Sequence, residues 1–183
     1  MPEISTSLRA ALPTDEQVEE AFGMTVDSHS EGGILGLVDH SVVGDDAVDA
    51  QINAGMVASS WTTYNMRADY EPAPLEPGQI IVSIALYDDA TAAAAGAQLG
   101  PEMLRSPQLF EGCTGTPPFE LTEAEGIWAA GCEPGPKVGA ALVRNDRFVI
   151  FVVVVYGSED YGQVLTTAAQ RLAQGLDLSA IPD

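Results

Sequence analysis

The sequence predicts one α+β domain over its 183 residues: an antiparallel β-sheet of about five to seven strands, with helices packed on it that include a C-terminal helix. Three observations lead there. Two apolar runs, Val138 to Arg144 and Arg147 to Tyr156, flank the polar pair Asn145-Asp146, the strongest hairpin signal in the chain. The stretch Phe148 to Val155 does not alternate, the pattern of a central strand covered on both faces. After Ser158, a candidate cap, Tyr161, Val164, Leu165, Ala168, Leu172 and Leu176 recur at helical spacing and give a terminal helix one apolar stripe. Helices and strands come in blocks without βαβ alternation, repeat or linker, so residues 1–183 read as one unit, with 1–12 expected as a flexible tether.

The remaining elements follow in order. Thr14-Asp15-Glu16-Gln17 has the form of a capping box, Asp15, Glu16 and Glu19 fall early where the helix dipole favours negative charge, and Gly23 suits a left-handed stop. Met24 to Ser30 alternates like a strand, after which Glu31-Gly32-Gly33 reads as a turn. Val48, Ile52 and Met56 space a short amphipathic helix from Asp45, and Trp61 to Tyr70 is rich in threonine and aromatics, as strands are. Three prolines make 71–78 a connection, Gln79 to Tyr87 is a buried strand, and Asp88-Asp89 cap a helix through the alanines at 92–95. Ser106-Pro107 looks like a further helix start, and Phe119 to Glu123 and Ile127 to Cys132 like short strands.

Charge narrows the function classes. The chain holds 27 acidic and 7 basic side chains, a formal net charge of −20. Residues 1–90 carry 16 acids against two bases, Arg9 and Arg67, so the negative field is concentrated in that half. Such a body is repelled by nucleic-acid backbones and by anionic membrane surfaces, and it favours a soluble monomer. The longest apolar run, Phe148 to Tyr156, is nine residues, against about 20 for a membrane helix. Met1 to Ser7 has neither a basic n-region nor an apolar h-region, so an exported protein would have its signal or anchor outside the given residues.

Few residues carry the types and spacings that chemistry needs. Cys113 and Cys132 stand 19 residues apart, each beside a glycine that lets backbone approach closely. A structural disulfide is the favoured reading and would stabilise the fold by about 3 kcal/mol in the chain-entropy model; two unpaired thiols and a catalytic thiol are the alternatives. If bridged, the pair places the chain in an oxidising compartment. Asp27, His29 and Glu31 alternate, so a strand would set all three on one face, and with His40 they are the candidate metal ligands; surface groups in an acidic loop are the plainer reading. Phosphate loops, nucleophile elbows and zinc-protease motifs are absent, and no catalytic residue or cofactor is expected. Trp61, Tyr64, Met66, Phe119 and Trp128 are candidates for a groove holding an apolar or glycan ligand, with core packing as the alternative; Trp61 cannot share a strand face with Tyr64 and Met66 without a bulge.

The helix Leu12-Pro-Thr-Asp-Glu-Gln-Val-Glu-Glu-Ala-Phe-Gly23 precedes the Trp61 strand. Then come Ile80-Ile-Val-Ser-Ile-Ala-Leu-Tyr-Asp-Asp-Ala90, an alanine-rich helix, Cys113, Asn145-Asp-Arg-Phe-Val-Ile-Phe-Val-Val153 and a terminal Gln/Ala helix. Over residues 8–176 this pattern resembles the actinobacterial extracytoplasmic sensor-type domains, the PknH-like extracellular domain and LpqN-type lipoprotein group. Where that family has Trp-x-x-Cys, this chain reads Phe110-Glu-Gly-Cys113, and Tyr156 stands near the place of its last cysteine. The resemblance implies an α+β domain with a cleft, exported and anchored by lipid or a membrane segment, and assigns no catalytic residues.

The function expected is therefore a non-enzymatic exported or lipoprotein-type domain at the cell surface or envelope, binding an envelope-associated ligand or partner protein. An acidic cytoplasmic inhibitor masking a basic surface is the first alternative, and a small metal-dependent hydrolase the second.

Overall fold

The computed structural model describes residues 2–34, 45–67, 78–99, 125–131, 137–156 and 162–182. Its described elements are, in order, α1 (Pro2–Ala10), α2 (Asp15–Phe22), β1 (Thr25–Ile34), α3 (Asp45–Asn53), β2 (Met56–Arg67), β3 (Gln79–Tyr87), α4 (Ala90–Gln98), β4 (Glu125–Gly131), β5 (Lys137–Asn145), β6 (Phe148–Tyr156) and α5 (Gly162–Gln174). The strands form one antiparallel sheet of six in the order β1-β2-β3-β6-β5-β4. Helices α1, α2 and α5 lie on one face and α3 and α4 on the other. The α+β architecture with a C-terminal helix is the one the sequence predicts.

Apolar residues on both sides of the central strands fill two cores. In β3, Ile80, Val82, Ile84 and Leu86 enter the larger core beneath α1, α2 and α5, while Ile81, Ala85 and Tyr87 turn toward α4. In β6, Ile150, Val152 and Val154 enter that larger core, and Val149, Phe151 and Val153 face the other way. This is why Phe148 to Val155 shows no polar alternation: little of either face is left to water. The β5–β6 hairpin turns at Asn145-Asp146, with Asp146 at φ 52°, a left-handed position that aspartate tolerates.

The helix caps form as their residues dictate. Thr14 N–H donates to Gln17 Oε1 at 2.8 Å and Gln17 N–H to Thr14 Oγ1 at 3.3 Å, and Gly23 stops α2 at φ 65°. Asp89 Oδ1 accepts from the amides of Thr91 and Ala92, both at 2.8 Å, and starts α4.

Three stretches depart from expectation. Residues 1–12 read as a tether, yet Pro2–Ala10 form a helix, because Leu8 (0% exposed) and Leu12 (8%) complete the larger core. Glu31-Gly32-Gly33 does not turn; β1 runs through it to Ile34, with Gly32 opposite Trp61. In α3 the apolar spacing misleads, since Ile52 is exposed and Gln51 is buried, and the strand already begins at Met56 after Gly55 takes φ 98°. Ser106-Pro107, Phe119 to Glu123 and Ser158 lie outside the described residues.

Gln51 is buried because it completes a polar bolt across the second helical layer. Tyr87 O–H donates to Gln51 Oε1, and Gln51 Nε2 donates to the Gly96 carbonyl at 3.3 Å. Burial raises the Tyr87 hydroxyl pKa well above its usual value, so it stays a donor. Gly96 lies flat on that ring: a Cβ there would overlap Tyr87 Cε1, Cζ and Oη. Both groups are fixed in packed elements, so Gly96→Ala is expected to destabilise the fold by about 1–3 kcal/mol beyond the helix-propensity gain. In urea unfolding, a Tyr87→Leu background should recover part of that loss; equal costs in both backgrounds would show that the ring does not dictate the glycine.

Candidate functional site

The alternation of Asp27-Ser28-His29-Ser30-Glu31-Gly32 sorts β1 into two kinds of surface. A bulge between Val26 and Ser28 takes Asp27 out of register. Beyond it, His29 and Glu31 lie on the face that carries α1 and α2, and Ser28, Ser30 and Gly32 lie on the other.

On the helix-bearing face the polar groups tie helices to the strand. His29 Nδ1 stands 2.9 Å from Asp15 Oδ1 in α2, Arg9 Nε in α1 stands 3.6 Å from Glu31 Oε2, and Val26 N–H donates to Glu19 Oε1 at 2.9 Å. Tyr64 lies buried beneath this layer and donates its hydroxyl to the Pro13 carbonyl at 2.5 Å. Burial pushes that hydroxyl up to about 12, with a hydrogen bond to Thr62 opposing and the negative charges of Asp15 and Glu31 adding to the rise. Met66 is buried in the same core. Tyr64 and Met66, expected as groove residues, are thus core residues whose side chains no ligand reaches, because the pleat turns them under α1 and α2. Among the candidate metal ligands, His29 and Glu31 pair with the helices, Asp27 is the bulge residue and His40 lies outside the described residues. No three His, Cys, Asp or Glu side chains are grouped as metal ligands among the described residues.

The opposite face has another character. Its bounds are Ser28 to Gly32 in β1, Ser59 to Asn65 in β2, Gln79 to Tyr87 in β3, and Val149 to Val155 in β6. Within them, no position presented to this side is an acid or a base. Arg67, at the end of β2 opposite Thr25, falls beyond the bulge and outside these bounds. Half-buried residues here are Trp61, Thr63 and Asn65 from β2, Ile81 and Ser83 from β3, and Phe151 and Val155 from β6, while Ser28, Ser30 and Gln79 are exposed. In a chain with 27 acidic groups, this uncharged sheet face of hydroxyls, amides and apolar groups is the most distinct candidate among the described residues, with Ile81, Phe151 and Val155 packed against the second core and Trp61, Thr63, Ser83 and Asn65 half-buried beside them.

Its geometry centres on one row across the sheet. Gly32, Trp61, Ser83 and Phe151 are successive cross-strand partners. The indole folds over Gly32: a Cβ on that glycine would overlap Trp61 Cζ2 and Cε2. A glycine in a strand interior is costly unless another group takes the missing side chain's place, and the indole does so here. The ring therefore tips toward β1 and away from β3, leaving Ser83 between two aromatic residues two strand spacings apart, about 9.5 Å. Further along the strands, Asn65 Nδ2 donates to Ser28 Oγ and Gln79 Nε2 to Asn65 Oδ1, each at 3.0 Å, an amide ladder on the same surface. Ser59 Oγ, buried farther along β2, finds no hydrogen-bond partner among the described residues.

Of the five groove candidates, then, Trp61 alone is placed on this surface with its side chain described. Trp128 lies opposite Ala140 in β4, four strand spacings or about 19 Å across the sheet from β2. Phe119, Cys113 and Cys132 lie outside the described residues. Sequence reasoning missed Ser83, Thr63 and Phe151; their shared face depends on the β2–β3–β6 register, which joins segments far apart in the chain.

No family model matches the chain, and no curated protein matches it. Among solved structures, the crystal structure of the extracellular domain of PknH from Mycobacterium tuberculosis aligns over 93% of this chain and 96% of that chain, with a TM-score of 0.47 and 14% sequence identity. Among the described residues no helix is long and apolar enough to cross a membrane.

The indole's seat on Gly32 can be tested directly. Gly32→Ala forces the ring off the strand, so the tryptophan emission should move and stability should fall by about 1–3 kcal/mol in chemical denaturation. Unchanged emission and stability would mean that the indole does not rest on this glycine.

Proposed function

We propose that this chain is a non-enzymatic binding domain of an exported, lipoprotein-type protein, and that its envelope-associated ligand or partner docks on the sheet face around Trp61, Ser83 and Phe151. The observation that supports this most directly is the segregation of charge. From Ser28 to Gly32, the ionisable side chains of β1 face the α1–α2 side, while the other side keeps hydroxyls, amides and half-buried aromatic groups. Solvated surface in an acidic protein has no need of such a division, whereas a docking face does: apolar contact area with a few polar groups is the composition of ligand sites. The charges on the far side keep the domain dispersed without entering the contact.

The exported setting rests on Cys113 and Cys132, which we assign to one disulfide. Intact protein made in an oxidising host should be lighter by two hydrogen atoms than the same protein after reduction. Two free thiols in that sample would remove the basis for an extracytoplasmic reading. The docking face has its own measurement. In isotope-labelled protein titrated with a detergent extract of the source envelope, the amide signals of Trp61, Ser83 and Phe151 should move together. Movement confined to α1, α2 and the Asp15–His29 side would place binding on the acidic face and favour a basic protein partner.

A further inference from the structure

We infer that α3 and α4 form a movable cover over a ligand site in the second core, and that its ligand is a neutral apolar molecule with one hydroxyl or carbonyl group, which bonds the Ser59 hydroxyl. This rests on the binding reading above, since Phe151 packs against that core and Ser83 lies in the next row to Ser59, and it narrows the reading to a chemical class.

The cover is thinly attached. On the other face the helices enter their core with Leu8, Val18 and Leu172, whereas α4 enters the second core with Ala93 and Ala97, a methyl group each, and lays Gly96 on the Tyr87 ring. Among the described side chains of α3 the buried one is Gln51, an amide, and Ile52 is exposed. Lifting this layer therefore uncovers little apolar area, which is the property of segments that open at low cost. The two helices are bonded to each other. Gln51 Nε2 donates to the Gly96 carbonyl at 3.3 Å, and Asp88 N–H, just before α4, donates to the Gly55 carbonyl, just after α3, at 3.0 Å. Ties from the layer to the sheet include the Tyr87–Gln51 bond and Arg144 Nη1 to the Ala90 carbonyl, the second a long contact of 3.4 Å. The helices are thus joined so as to move together.

On the same side of the sheet one polar atom is out of place. Ser59 is 3% exposed, lies opposite Ala85 on the face of the second core, and its Oγ finds no hydrogen-bond partner among the described residues. A hydroxyl buried without a bond costs the fold stability, so the position favours alanine unless a ligand supplies the missing partner. The rest of the core is apolar, built on Met56, Tyr87, Leu142, Val149 and Val153, and it holds no acid or base. An ionised ligand would lose its hydration there without gaining a counter-charge. A hydrocarbon would leave Ser59 unbonded, and a sugar would bury more hydroxyls than one serine satisfies. A molecule with an apolar body and one neutral polar group meets both demands. The nine residues of α4 span about 13 Å, the length of ligand that they can cover.

Hydrogen exchange of the unliganded chain tests the cover. The amides of Ala93 to Ala97 should exchange about tenfold or more faster than those of Ala169 to Ala173 in α5, and equal protection would show that the cover does not open. Titration with 1-octanol and with methyl octanoate should then move the amide signals of Ser59, Ala85 and Ala97 together, and octanoate should not. Ser59→Ala should melt no lower than the parent chain yet bind 1-octanol about tenfold more weakly, the effect of one lost hydrogen bond. Gln51→Met, which cuts the tie to Tyr87, should bind 1-octanol more tightly by raising the open population. Circular dichroism of both variants separates changed binding from lost fold. Unchanged affinity in Ser59→Ala, or octanoate binding as well as 1-octanol, would overturn the assignment. If the envelope extract moves Trp61, Ser83 and Phe151 while 1-octanol leaves Ser59 and α4 unmoved, the docking face stands and the covered site falls. If neither the probes nor the extract move any of these signals, both readings fall.

Discussion

The pairing of β3 with β6 runs through eight successive residue pairs, from Gln79 opposite Val155 to Leu86 opposite Phe148, and joins the β1-β2-β3 half of the sheet to the β4-β5-β6 half. Its register is enforced from the core side. A slip of one residue would turn Ser83 into the larger core and carry Ile80, Val82, Ile84 and Leu86 out of it. The row that sets Ser83 between Trp61 and Phe151 exists only in this register. The candidate site is therefore a consequence of the same contacts that stabilise the fold.

Two glycines shape the face opposite α1 and α2, and each is paired with an aromatic ring. Gly32 in β1 seats the Trp61 indole, and Gly96 in α4 seats the Tyr87 ring. In both cases the absent side chain is replaced by a neighbour's π-surface, so a position that would weaken a strand or helix becomes a packing contact. Their outcomes differ. Tyr87 is buried and bonded to Gln51, closing the sheet beneath α3 and α4, whereas Trp61 stays half-buried.

Much of this was legible in the sequence, in proportion to how local the determining physics is. The Thr14 capping box, the Asp89 cap, the Asn145-Asp146 hairpin and the doubly covered β6 all depend on neighbours in the chain, and all are present as read. Glycine misled twice. Glu31-Gly32-Gly33 resembles a turn until Trp61, far along the chain, supplies the missing bulk, and the helix whose spacing points on to Met56 ends before Gly55. In α3, periodicity favours Ile52 for the interior, but the buried position belongs to Gln51, whose partners Tyr87 and Gly96 come from later elements. Of the site, Trp61 could be singled out by type alone. Tyr64 and Met66 are of equally suggestive types on the same strand, yet both belong to the face the helices cover. Ser83 and Phe151 gain their meaning only from cross-strand register, which no local pattern encodes.

The irregularity at Asp27 reaches beyond the site. Among the described residues β1 is an outer strand, and an outer strand presents unpaired backbone groups to any other extended chain. Here the ladder is broken by a bulge at an acidic residue, and Glu31 adds a second carboxylate on the same strand. An incoming strand would meet a kinked rail. On this side the described sheet resists growing into a fibre by strand addition at β1.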